Sequence, residues 1–147
     1  MSTRKIVIGL AAALAVAAIA CQRNTEPEHK ATPDKVTLPS GVWYQDLVVG
    51  QGPAVKAGQT VTCHATGWLE DGTKFWSSHD GANRPIPFAL KNPGVIQGWV
   101  EGVPGMKAGG KRRIWIPSAL AYGKSGRGPI PPDADLTFEV ELVSIDK

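Results

Sequence analysis

Glycine and proline punctuate this chain so often that few segments can hold one regular conformation for long. There are 17 glycines and 12 prolines in 147 residues, about a fifth of the chain, against average usage of roughly 7% and 5%. Glycine lets the backbone turn through positive φ, and proline removes a hydrogen-bond donor. Long helical bundles and coiled coils are therefore excluded. At 42% apolar and 20% charged residues, the composition is still that of a globular protein.

Between the breakers the apolar pattern is mostly that of strands. Residues 42–49 are rich in β-formers and end at Gly50-Gln51-Gly52-Pro53, which reads as a breaker. Residues 59–69 form a second run, Asp71-Gly72 is a favoured hairpin turn, and Lys74-Phe75-Trp76 returns. Residues 87–90 are a short extended piece, residues 111–116 alternate charged with apolar until Pro117, and residues 136–143 alternate cleanly. Only Val95, Ile96, Trp99, Val100 and Val103 have helical spacing, stopped by Pro104-Gly105. Residues 123–132 are a Gly/Pro loop. About five strands and one short helix predict an α+β fold, an antiparallel sheet with the helix packed on one face.

The N-terminus has a different character. Arg4 and Lys5 precede residues 6–20, which carry no charged or polar side chain. That run is shorter than the ~20 residues of a spanning helix and has the layout of an export signal. It ends Ala18-Ile19-Ala20-Cys21. The Ala-x-Ala pattern suits ordinary secretory cleavage, whereas small residues followed by cysteine resemble a bacterial lipobox. The second reading is preferred: Cys21 is lipidated, several acyl tails anchor the chain to a membrane, and Gln22 points to an outer membrane. Residues 1–20 are then a signal peptide and 21–38 a flexible linker. Its charged, proline-containing 22–38 stretch could span ~55–60 Å if fully extended.

Several function classes drop out. The net charge is +3. Losing Arg4 and Lys5 with the signal leaves 14 basic against 13 acidic residues, so there is no electrostatic case for nucleic acid. The one basic run, Lys107, Lys111, Arg112 and Arg113, reads as a solvated strand end. With Cys21 lipidated, Cys63 stands alone in a strand as a small buried hydrophobe, and neither a disulfide framework nor a cysteine zinc site can form. Ser77-Ser78-His79-Asp80 holds the residue types of a catalytic triad, but contiguous residues do not converge in that geometry and read as a turn. Gly123-Lys124-Ser125-Gly126-Arg127 is neither a nucleophile elbow nor a phosphate-binding loop. His29, His64 and His79 lack metal-ligand spacing, and His64 reads as a hydrogen-bonded structural residue. No metal or cofactor is expected.

What remains is an ordered set of segments: Gly67-Trp68-Leu69-Glu70-Asp71-Gly72-Thr73-Lys74-Phe75, then Val95-Ile96-Gln97-Gly98-Trp99-Val100-Glu101-Gly102-Val103, Leu120-Ala121-Tyr122-Gly123, and Ile130-Pro131-Pro132-Asp133-Ala134-Asp135-Leu136-Thr137-Phe138. This series resembles the FKBP family of peptidyl-prolyl isomerases, in particular its small bacterial lipoprotein and periplasmic members, and places the isomerase domain at residues 39–147. The resemblance implies a strongly bent antiparallel half-barrel wrapped around one short helix. It also implies an apolar pocket with Trp99 as floor and Phe75, Val95, Ile96, Tyr122, Ile130 and Phe138 as walls. The Ile96 N–H and the Tyr122 hydroxyl are its polar handles, and Phe75, Ile96, Trp99, Tyr122 and Phe138 its catalytic set. The implied substrates are proline-containing polypeptides, with macrolides as inhibitors.

The sequence departs from the family pattern at four places, one of them the loop between Gly123 and Pro131, which is about one residue shorter than in many relatives and differs in its Gly-Arg-Gly-Pro order. Trp76 stands where the family has Asp, Ala65 where it has Tyr, and Ile86 where it has a rim Phe. Trp76 and Ile86 are expected to contact substrate. Loss of the Asp is expected to weaken catalysis and macrolide binding more than the fold. The alternative to an isomerase is a non-catalytic proline-peptide binder or chaperone on the same scaffold.

Overall fold

The computed structural model describes residues 34–146. The stretch read from the sequence as a signal peptide, Cys21 and most of the stretch read as a linker lie outside the described residues. In chain order the strands are β1 (Val36–Thr37), β2 (Trp43–Val48), β3 (Gln51–Ala54), β4 (Thr60–Leu69), β5 (Lys74–Ser77) and β6 (Ile86–Ala89). The helix α1 (Gln97–Gly102) follows, then β7 (Lys107–Ala108), β8 (Lys111–Ile116) and β9 (Leu136–Asp146). A seven-stranded curved sheet has the order β1-β2-β8-β9-β4-β5, with β6 also on β4; β3 and β7 pair separately. Every pairing is antiparallel. Among the described residues no helix is long and apolar enough to cross a membrane.

Period-two patterning puts one face of each long strand in the core. Val61, Cys63 and Ala65 of β4 meet Leu136, Phe138, Val140 and Leu142 of β9, all buried. The clean alternation ends at Val143, yet β9 continues. Thr62 pairs with Ser144 and Cys63 with Leu142, so Val143 is an extra bulged residue, half exposed. The bulge reverses the phase and turns Ile145 back against the core.

Three short strands differ from the expectation of about five. β1 lies inside the stretch assigned to the linker, where Val36 pairs with Tyr44 and Thr37 with Trp43. β3 contains the expected breaker; it pairs with β7 only at Gln51 and Ala54, with a register shift between them at Gly52-Pro53. A proline without an N–H is tolerated there because the ladder is short and at an edge.

The helix is shorter than its apolar spacing suggests. Ile96 is extended (φ −62°, ψ 152°) and caps the N-terminus, while Val103 caps the C-terminus. Gly98 and Gly102, one turn apart, let α1 lie directly on β8. A Cβ at Gly98 would strike the Ile116 side chain, and one at Gly102 would come within 2.7 Å of Ile114 Cγ2.

Arg112 corrects the reading of the basic run as a solvated strand end. It is 3% exposed. Its Nε and Nη2 donate to the two Asp46 carboxylate oxygens at 2.5 and 3.0 Å, and its Nη1 donates to the carbonyls of Gly102 and Pro104 at 2.8 and 3.0 Å. Its guanidinium lies 3.9 Å from the Tyr44 ring centroid. The side chain thus ties the C-terminal carbonyls of α1 to the sheet. Lys111 and Arg113, pointing outward, pair with Glu139, and Lys111 also with Glu141.

Candidate active site

A cleft of about 420 Å³ opens between the helix, the concave face of the sheet and the loop before β9. That is within the usual ~300–1,000 Å³ of ligand pockets. Its floor is the Trp99 indole of α1, 3% exposed. From the floor the aromatic rings run in an arc. Phe138 of β9 meets Trp99 edge-on at 5.4 Å, and Phe75 of β5 meets Phe138 edge-on at 5.6 Å. On the other side Phe88 of β6 tilts over Trp99 at 4.9 Å, and Trp76 meets Phe88 edge-on at 6.4 Å. Edge-to-face contacts of this kind match the ring quadrupoles and hold the walls at fixed angles.

Local sequence explains how consecutive residues Phe75 and Trp76 both reach the cleft. In a regular strand they would face opposite sides. Here Gly67 pairs with Trp76 and Trp68 with Lys74, so Phe75 is bulged out of the ladder. Its ring lies across the bare backbone of Gly67, where a Cβ would strike both Phe75 and Phe138. Trp76, 36% exposed, extends the apolar wall and leaves the cleft open.

Two polar donors border the rings. As the cap residue of α1, Ile96 has its N–H outside the helical ladder, and no acceptor for it occurs among the described residues. Tyr122 sits between two single-turn 3-10 segments, Ser118–Leu120 and Gly123–Ser125. Two hydrogen bonds hold this loop: the Ser118 N–H donates to Asp135 at 2.8 Å, and the Asp133 N–H to the Gly123 carbonyl at 2.9 Å.

The cleft therefore brings together Phe75, Trp76, Val95, Ile96, Trp99, Tyr122, Ile130 and Phe138 from the sequence-derived set. It does not include Ile86, which stands opposite Cys63 at the far end of β6; Phe88, opposite Val61, supplies the aromatic wall instead. Sequence reasoning missed Phe88, Arg127 and Pro129 as lining residues. The Pro87-Phe88 pattern signals only an edge strand, and the Gly/Pro loop has no periodicity from which a lining position could be read.

The remaining chemistry-bearing residues stay apart from the cleft. Burial pushes the Cys63 thiol up to about 12, so it is protonated and inert at neutral pH. His64 Nδ1 is 2.9 Å from the Ser78 hydroxyl, and its ring stacks on His79 at 4.3 Å. The Ser77–Asp80 segment is a turn closed by the Asp80 N–H donating to the Ser77 carbonyl. Among the described residues no group of three or more His, Cys, Asp or Glu side chains is placed to hold a metal ion.

A bent antiparallel sheet around one helix, with an indole-floored cleft between them, defines the FKBP-type isomerase class. Residues 52–143 match the FKBP-type peptidyl-prolyl cis-trans isomerase family. An FK506-binding protein of Neisseria meningitidis serogroup B is 49% identical over 106 residues, 71% of this chain and 96% of that protein. FK506-binding protein 4 of Dictyostelium discoideum is 52% identical over 116 residues, 78% of this chain but only 31% of that longer protein. The crystal structure of FkpA from Escherichia coli superposes with a TM-score of 0.70 at 41% identity, covering 76% of this chain and 51% of FkpA. The chain belongs to the FKBP-type peptidyl-prolyl cis-trans isomerases.

Proposed function

We propose that this protein isomerises X-Pro bonds of exported polypeptides in the Trp99-floored cleft, with its efficiency limited by Trp76. The observation that supports this reading is the apolar aromatic arc with two hydrogen-bond donors at its border. An X-Pro bond needs no nucleophile to rotate. It needs its C–N partial double bond weakened against a barrier of ~18–20 kcal/mol. Resonance separates charge between oxygen and nitrogen, and water stabilises that planar form. Aromatic walls that strip water from the imide favour the twisted, less polar state. Each ~1.4 kcal/mol so gained is tenfold in rate.

The Ile96 N–H and the Tyr122 hydroxyl serve best on carbonyls flanking the rotating bond. A donor on the imide oxygen itself would reinforce the double bond. With Trp76 in place of the family Asp and Ala65 in place of Tyr, no carboxylate among the described residues lines the cleft. The non-catalytic binder reading rests on this pair of substitutions. The expected result is measurable acceleration of cis/trans isomerisation of a Leu-Pro or Phe-Pro peptide by the wild type, raised several-fold in Trp76→Asp together with macrolide affinity. Folded wild type with no rate above background, and activity gained only by Trp76→Asp, would establish the binder instead.

The same reading places the domain outside the cytoplasm, at the periplasmic face of an outer membrane, held by a lipid on Cys21. The support is the basic, apolar and small-residue order of residues 4–21.

A further inference from the structure

A second groove of about 360 Å³ continues from the prolyl cleft, between the segment around Asn92–Gln97 and the Ala119–Tyr122 turn. The two share Ile96, Tyr122 and Arg127 along their common border. Among the described residues, Arg127 is the only charged side chain lining either of them. Its position is held by the backbone: its N–H donates to the Ile130 carbonyl and the Ile130 N–H to its own carbonyl, both at 2.9 Å. The guanidinium stands 5.7 Å from the Tyr122 ring centroid, exposed, with no carboxylate partner among the described residues. Two acids on the neighbouring elements are engaged elsewhere, Glu101 accepting from Gln97 Nε2 at 3.0 Å and Asp135 from the Ser118 N–H, while the exposed Asp133 lines neither groove.

We propose that Arg127 makes this isomerase select X-Pro segments that carry an Asp or Glu within two residues of the proline, the carboxylate seating at the border of the second groove. The proposal rests on the isomerase reading and names the substrate class of the same site. A peptide with proline over Trp99 and its flanking carbonyls on Ile96 and Tyr122 must run past Arg127. The planar guanidinium suits a carboxylate in two-point contact, and no acid in either groove competes for it.

The test is kcat/KM on matched Phe-Pro peptides differing only by Glu, Gln or Lys at each position flanking the Phe-Pro pair. At low salt Glu is expected to exceed Gln by about three- to fivefold, and Lys by about tenfold, at one position at least; such factors match a solvent-exposed ion pair. The preference should shrink towards unity near 1 M salt, where the screening length falls to ~3 Å. Arg127→Gln should abolish it and Arg127→Glu invert it. Equal rates on the three peptides at every position, or a Glu preference unchanged by salt or by Arg127→Gln, would overturn the proposal while leaving the isomerase intact. No turnover of any peptide would overturn the isomerase reading as well.

Discussion

Gly67 shows how much of the site turns on a single missing methyl group. It lies within β4, near its C-terminal end, where a side chain would be expected, and the rings of Phe75 and Phe138 occupy the space its Cβ would take. Gly67→Ala is expected to cost about 1–3 kcal/mol through overpacking, seen as a lower urea midpoint. It should also lower kcat/KM on a Phe-Pro peptide, since both displaced rings form the cleft wall. Unchanged kinetics in the folded variant would mean that these rings do not position substrate. At this scale the sequence was readable where a residue's type carries the message. Trp99, Phe75 and Phe138 stand out as aromatics in ordered segments, and Trp76 and Ala65 as departures. Phe88 and Arg127 were not readable, because what places them at the cleft is the partner strand and the loop closure.

At the scale of elements, the six-residue helix has no independent stability. Isolated helices below about 12–15 residues are marginal in water. α1 exists because Gly98 and Gly102 let it approach Ile116 and Ile114, and because Arg112 satisfies the carbonyl of Gly102. Gly98→Ala therefore sets two effects against each other. Helix propensity would gain about 1 kcal/mol, and the clash with Ile116 would cost about 1–3 kcal/mol. A net loss of stability, with Trp99 fluorescence shifted as the floor moves, is expected in a denaturant titration; net stabilisation would show that the helix–sheet contact can relax.

The β8–β9 ladder makes a pH prediction. Burial raises the Glu139 carboxyl, but hydrogen bonds from Lys111 and Arg113 outweigh it and hold the group below its ordinary 4.5. A depressed carboxyl contributes stability above its unfolded value, and that contribution is lost as pH falls through the folded one. Wild-type melting temperature should therefore decline below about pH 4.5, and Glu139→Gln should flatten that acid limb while lowering stability at pH 7. An acid limb identical in the two proteins would assign the loss to other carboxylates.

On the scale of the whole molecule, the domain presents a peptide cleft and the N-terminal region is read as its tether. In a two-membrane bacterium the wild type is expected in the membrane fraction, and Cys21→Ser in the soluble fraction; equal partition of the two would remove the lipid anchor. The order of the longer strands, the hairpin at Asp71-Gly72, the position of the helix and the alternation of the long strands followed from the sequence alone, because turn sterics and side-chain period act over a few residues. The tertiary structure alone supplied the short strands β1, β3 and β7, the bulges at Phe75 and Val143, Phe88 in the cleft wall, the burial of Arg112 beneath the end of α1, and the guanidinium of Arg127 between two grooves with no carboxylate partner among the described residues. Each depends on register or closure between segments distant in the chain, and a shift of one residue there changes which face a side chain meets without altering the local pattern.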